Sequence, residues 1–233
     1  MILDFGFDQD LAIKKHRIQA IRVRDHLMAE TEIIIVDYGM GNLRSVQKAF
    51  EKVGYHAQIT QDPKIIAEAG RLVLPGVGAF KDAIAKIRSA GLEKPILDHL
   101  HSNKPFLGIC LGMQLLFETG WEDGKHKGLG FYKGEVVLIP SAPGLKIPHM
   151  GWNQLTIVKD TPFLKGFPKD GSVYFVHSFY AIPKSTDILI ATTDYPNPIT
   201  AIVGEGNRVA TQFHPEKSQS LGLGILKNFA ELN

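Results

Sequence analysis

The chain has 233 residues and a formal net charge of +2, with 44% hydrophobic and 21% charged residues, proportions that exclude a fibrous repeat and a disordered chain. Its Lys and Arg residues are scattered rather than grouped, which argues against a nucleic-acid surface, and no apolar run reaches the ~18 residues of a membrane span. One cysteine, Cys110, excludes an intramolecular disulfide and a multi-cysteine metal site and suits a reducing, cytoplasmic setting.

Residues 1–30 carry acids and bases in equal number and lack a strong turn. The opening MILDFGFDQD has acids where a secretory signal has bases, so export is not expected. This extension suits a short helix over 11–27, an ordered or disordered appendage, or a start-site artefact with Met28 close to the first strand; the artefact is the preferred reading. One domain is expected over residues 31–233.

EIIIVD (32–37) reads as a buried strand, YGMGN as a turn, and residues 43–53 as a helix by their apolar spacing. Strands follow at 56–60 and 71–75, separated by a short helix over 63–69. After PGVGAF come helices over 81–90 and 92–101, the strand PFLGI, and a helical segment over 111–119. Strands alternating with helices predict a parallel, doubly wound α/β sheet.

The second half differs. GEVVLIP, QLTIVK, VYFVHSFY, ILIATT, TAIVGEG and RVATQF are short β-rich runs joined by Gly, Pro, Asn and Asp, which predicts antiparallel strands that extend the sheet or form a side sheet. A last helix over 218–232 closes the chain.

Cys110 stands in Gly108-Ile109-Cys110-Leu111-Gly112, where strand gives way to helix. Small flanking residues let such a turn lift a nucleophile clear of the sheet edge. The following helix N-terminus favours thiolate and offers the Leu111 N–H to an oxyanion. A buried structural cysteine is the alternative.

A thiol nucleophile needs a base, and the base an orienter. His214-Pro215-Glu216 offers both: if the strand runs on through Pro215, residues 214 and 216 share a face. The bland alternative is a surface His and Glu at a corner. In Gly76-Val77-Gly78 the two glycines let a backbone N–H swing toward a site, as an oxyanion hole requires; an ordinary turn is the alternative, and no GKS or GKT supports a phosphate loop.

Together PGVGAF, GICLGMQ and HPE, in this order, resemble the class I (triad) glutamine amidotransferases over about residues 32–233. DYGMGNLRSV, KIPHMGWN, YFVHSFY and HPEKS are similar to the glutaminase subunits of imidazole glycerol phosphate synthase. The resemblance implies a flavodoxin-like doubly wound fold, mostly parallel with an antiparallel extension.

It also implies that Cys110 attacks the side-chain amide of glutamine, His214 moves the proton, and Glu216 orients His214. Leu111 and the Gly76, Val77, Gly78 loop would form the oxyanion hole, with the Val77 peptide rotating. Gln114, Glu122, Ser178 and Phe179 would bind glutamine, Glu122 through its α-ammonium. A (β/α)8-barrel cyclase would receive the ammonia and make imidazole glycerol phosphate and AICAR from PRFAR. Asn42, Arg44, Trp152 and Lys217 would face that partner.

The bland readings are a helix cap for Asn42, solvated charges for Arg44 and Lys217, and a solvated helix position for Gln114. Trp152, read as a loop residue between Gly and Asn, suits an exposed anchor. His126, His149 and His177 each stand alone in the sequence and His99 and His101 face apart, so no metal is expected; the resemblance implies no organic cofactor. The alternatives are a paralogue feeding ammonia to a surface-sugar or other amidine-forming enzyme, a cysteine hydrolase or peptidase on the same fold, and a catalytically silent binding subunit.

Overall fold

A computed structural model describes residues 32–232; the extension over 1–30 and its proposed helix lie outside the described residues. In β1 (Ile33–Val36) every residue is buried. Successive side chains point to opposite faces, so Ile33 and Ile35 join one apolar cluster and Ile34 and Val36 another. A strand apolar on both faces belongs inside a layered α/β sheet.

Among the described residues the main sheet has eight strands in the order β2-β1-β3-β4-β14-β13-β12-β9. β2 (Ala57–Thr60), β1, β3 (Arg71–Gly76), β4 (Phe106–Cys110) and β14 (Arg208–Thr211) run parallel. β13 (Pro198–Glu205), β12 (Leu189–Asp194) and β9 (Thr156–Ile157) extend it antiparallel. The start of this order, 2-1-3-4, is that of flavodoxin-like sheets, which bind ligands beyond the carboxyl ends of their strands.

Helices cover both faces. α1 (Leu43–Lys52) buries Val46, Ala49 and Phe50 with Ile225, Leu226 and Phe229 of the last helix on one face. α2 (Pro63–Glu68), α3 (Phe80–Ser89) and α4 (Glu93–His101) cover the other. α2 starts where expected: the Asp62 side chain accepts the Lys64 N–H at 2.8 Å, with Pro63 in the first turn.

Three expectations fail locally. Only α5 (Leu111–Gln114) is helical in the segment 111–119, and β5 (Phe117–Gly120) follows. Leu115-Leu116-Phe117 is buried throughout, so its periodicity cannot tell helix from strand. Its backbone goes to other segments: the Leu129 N–H donates to Leu115 O at 2.8 Å and the Tyr132 N–H to Leu116 O at 2.9 Å.

VYFVHSFY is two strands rather than one. β10 (Ser172–His177) pairs with β8 (His149–Gln154), while β11 (Phe179–Pro183) pairs with β7 (Tyr132–Leu138) in the sheet β11-β7-β5-β6, where β6 is His126–Lys127. Ser178 is the single residue between β10 and β11. The second half is also not wholly antiparallel, because β14 pairs parallel with β4 and β5 parallel with β7.

Candidate active site

β3 and β4 are register neighbours, and their last residues, Gly76 and Cys110, lie opposite each other. Cys110 leaves its strand at φ 54°, ψ −109°, a conformation that costs a non-glycine residue roughly 1–3 kcal/mol and persists only where packing holds it. The flanking glycines allow that packing. A Cβ on Gly112 would stand 1.8 Å from Leu74 O, and one on Gly108 would stand 3.0 Å from both Ala210 Cβ and Gly112 O. α5 is a single turn, so the expected helix-dipole support is small; what remains is the local placement of Leu111 as its first residue.

His214 follows β14, the other neighbour of β4. The strand does not run on through Pro215, as the same-face reading requires; β14 ends at Thr211 and Pro215–Lys217 forms a 3-10 turn. That turn still brings the two side chains together. His214 Nδ1 lies 2.8 Å from Glu216 Oε1, with the side chains 2% and 1% exposed.

Burial works to lower the His214 pKa. The neighbouring Cys110 and Glu216 outweigh it, and the imidazole is pushed up to about 10. Among the described residues His214 Nε2 is buried without a formed hydrogen bond, on the side of the ring away from Glu216.

A cavity of about 470 Å³ opens at this point. It is lined by Val77, Gly78, Cys110, Leu111, Gln114, Glu122, Ser178, Phe179, His214 and Lys217, together with Ala79, Val176 and His177. Ten of the residues singled out from the sequence therefore share one cavity. Gly76 and Glu216 stand behind it, Gly76 beside Cys110 and Glu216 behind His214.

Gln114 is not solvated but buried, and its Nε2 donates to Phe179 O at 2.9 Å and to Gln212 Oε1 at 3.1 Å. Glu122 Oε2 accepts the Phe80 N–H at 2.7 Å, which ties the first turn of α3 to the cavity. Ser178 O accepts from the Ile139 N–H at 2.8 Å.

Of the residues read as facing a partner, Trp152 and Lys217 flank Tyr174. The Trp152 ring lies edge-on to it at 6.1 Å, and Lys217 Nζ lies 6.0 Å over it. Trp152 is 49% exposed, although it sits on strand β8 and not in a loop. Asn42 and Arg44 are exposed at the start of α1, which packs against the Pro215–Lys217 turn. Asn42 makes no side-chain cap, and Arg44 Nη1 donates to Gln47 Oε1 at 2.7 Å.

Sequence reasoning missed several polar groups. Ser218 Oγ donates to His214 O at 2.7 Å and accepts from the Tyr174 N–H at 2.9 Å. His149 and His177, isolated in sequence, are cross-strand partners on β8 and β10 with Nδ1 and Nε2 3.0 Å apart. Burial lowers both, to about 4 and about 3. Tyr38 is buried, its hydroxyl without a partner among the described residues and 2.6 Å from where a Cβ on Gly76 would stand. Among the described residues no cluster of His, Cys, Asp and Glu could hold a metal ion, and no helix is long and apolar enough to cross a membrane.

The family described as "Glutamine amidotransferase class-I" matches residues 34–232. The chain belongs to the class-I glutamine amidotransferases. This amidotransferase is 53% identical over 205 residues to "Imidazole glycerol phosphate synthase subunit HisH" of Syntrophotalea carbinolica, covering 86% of this chain and 100% of the relative. It is 55% identical over 198 residues to the protein of the same name from Caldanaerobacter subterraneus subsp. tengcongensis, covering 85% and 97%.

Its fold is also that of PurLQS from Thermotoga maritima (TM-score 0.66, 20% identity, 85% and 96% covered). A glutamine amidotransferase of known crystal structure is similar as well (TM-score 0.61, 18% identity, 82% and 94% covered).

Proposed function

We propose that this amidotransferase is the glutaminase subunit of imidazole glycerol phosphate synthase in histidine biosynthesis. It hydrolyses glutamine to glutamate and ammonia and delivers the ammonia to a (β/α)8-barrel cyclase subunit. The observation that carries the reading is the meeting of Cys110 and His214 in one cavity with Glu216 sealed behind the ring. Identities above half with proteins of that name support the pathway. Residues 31–233 act as one amidotransferase domain, and the single unpaired thiol suits work in the cytoplasm.

In the proposed reaction the Cys110 sulfur attacks the side-chain carbonyl carbon of glutamine. The resulting oxyanion is met by the Leu111 N–H and by an N–H of the Gly76, Val77, Gly78 loop. His214, held as imidazolium by Glu216 and the thiolate, gives its Nε2 proton to the departing ammonia as the C–N bond breaks. A γ-glutamyl thioester is left. His214, now neutral, takes a proton from water, whose oxygen attacks the thioester and releases glutamate and the thiolate. Gln114, Glu122, Ser178 and Phe179 hold the substrate's ends, and no cofactor is needed.

Free ammonia in water becomes ammonium, which is no nucleophile. The product is therefore delivered within a complex, with Asn42, Arg44, Trp152 and Lys217 facing the cyclase. The test is glutamate release from glutamine, alone and then with the cyclase and its nucleotide ligand. Strong stimulation by the liganded cyclase is expected. Slow hydrolysis dependent on Cys110 but indifferent to that cyclase would overturn the pathway assignment and keep the chemistry.

A further inference from the structure

Gln212 has none of its surface exposed and takes no part in the reaction just described. It follows the last residue of β14, and its carboxamide lies between two residues of the cavity. Its Nε2 donates toward Cys110 Sγ at 3.7 Å, and its Oε1 accepts from Gln114 Nε2 at 3.1 Å.

The orientation of these amides is fixed from a main-chain atom. Phe179 O can only accept, so the Gln114 group 2.9 Å from it is the nitrogen. The second N–H of that nitrogen points at Gln212, which must answer with its oxygen, and this turns the Gln212 NH2 toward the sulfur. With both N–H groups engaged, Gln114 presents Oε1, an acceptor, to the cavity it lines.

The other lone pair of Phe179 O takes the His177 Nδ1–H at 2.9 Å. His177 Nε2 is then the acceptor for His149 Nδ1 at 3.0 Å, and His149 Nε2 lies 3.2 Å from Asn153 Nδ2. Both imidazoles are neutral, so each has one donor and one acceptor nitrogen and the direction of every bond is determined. The carbonyl that anchors the two glutamines is thereby held by a second, independent set of bonds.

We propose that Gln212 is a further catalytic residue of the glutaminase: its amide donates to the Cys110 sulfur while its oxygen holds Gln114 with an acceptor facing the substrate. This rests on the glutaminase reading above. An N–H···S⁻ bond stabilises the attacking and departing thiolate at both steps, with no proton transferred from Gln212. The acceptor on Gln114 takes an N–H of glutamine.

Two variants separate the two contacts. Gln212→Glu keeps an acceptor for Gln114 and, as carboxylate, sets a like charge against the thiolate in place of the donor, whereas Gln212→Met removes donor and acceptor at similar length. Each is assayed in the cyclase complex for glutaminase kcat and KM, for alkylation of Cys110 by iodoacetamide without glutamine, and for thermal melting.

With Gln212→Glu, KM should stay within about twofold while kcat and alkylation fall by at least about tenfold, one hydrogen bond to a charged group lost and a like charge added. With Gln212→Met, KM should also rise about tenfold. Unchanged kcat, KM and alkylation in both variants, or losses that merely follow the folded fraction, overturn the proposal. Should Gln212→Met not fold, Gln212→Glu and the alkylation rate carry the test. If wild-type complex releases no glutamate, the glutaminase reading fails. Alkylation then decides alone: slowed in the variants it supports the contact with sulfur, and unchanged it overturns it.

Discussion

The His214 ring and the Glu216 carboxylate meet at 2.8 Å in a contact almost sealed from water, and the second carboxylate oxygen is buried without a partner among the described residues. The charge of Glu216 is therefore directed at the ring and at little else. Glu216→Gln retains an oxygen for Nδ1–H and loses the charge. In the cyclase complex, glutaminase kcat should fall about 10- to 100-fold, less than for His214→Ala, which removes the acid and base itself. An unchanged rate would take Glu216 out of the mechanism.

The raised His214 pKa has a sign that can be checked. The folded protein holds this proton up to about pH 10, whereas an unfolded chain releases it near pH 6.5. The resulting stabilisation is complete below about pH 6.5 and is lost as pH rises toward 10, at up to about 1.4 kcal/mol per pH unit. The stability difference between wild type and His214→Ala, from denaturant unfolding at several pH values, should shrink from pH 7 to pH 10. A constant difference would mean that the ring is neutral in the folded protein.

Cys110→Ala should abolish glutamine-dependent turnover by the complex and leave turnover with ammonium salts intact. The two assays differ only in where the ammonia comes from. Loss of both would assign Cys110 to structure, a role consistent with its membership of the apolar cluster beneath the cavity.

Ser218 binds His214 to the neighbouring strand. Its hydroxyl donates to His214 O and accepts from the Tyr174 N–H, while the His214 N–H donates to Tyr174 O at 3.0 Å. Ser218→Ala leaves a donor and an acceptor unanswered at a cost of about 1–3 kcal/mol. Thermal melting should drop by about 2–4 °C for each kcal/mol. An unchanged melting temperature would show that water replaces the hydroxyl.

The first half of the fold was legible because β1, β3 and β4 are apolar on both faces and are separated by amphipathic helices, so each element declares its own period. The turn around Cys110 was legible for a related reason: glycines stand where no Cβ fits. The split of VYFVHSFY was not, since neither Gly nor Pro marks the change of sheet at Ser178. Gln212 was invisible as well, because its partners lie 98 and 102 positions away. A polar residue closing a buried strand was the only local signal. His149 and His177 became a pair only through the β8–β10 register.

The passage from β10 to β11 leaves Ser178 as the one residue between two sheets. Trp152 and Tyr174 stand in register on the smaller sheet, and that sheet also carries Val176, whose carbonyl lies 4.0 Å from the Cys110 sulfur. Tyr174 O also accepts the His214 N–H at 3.0 Å, so a load on the exposed Trp152 face falls on a strand pair that touches both Cys110 and His214.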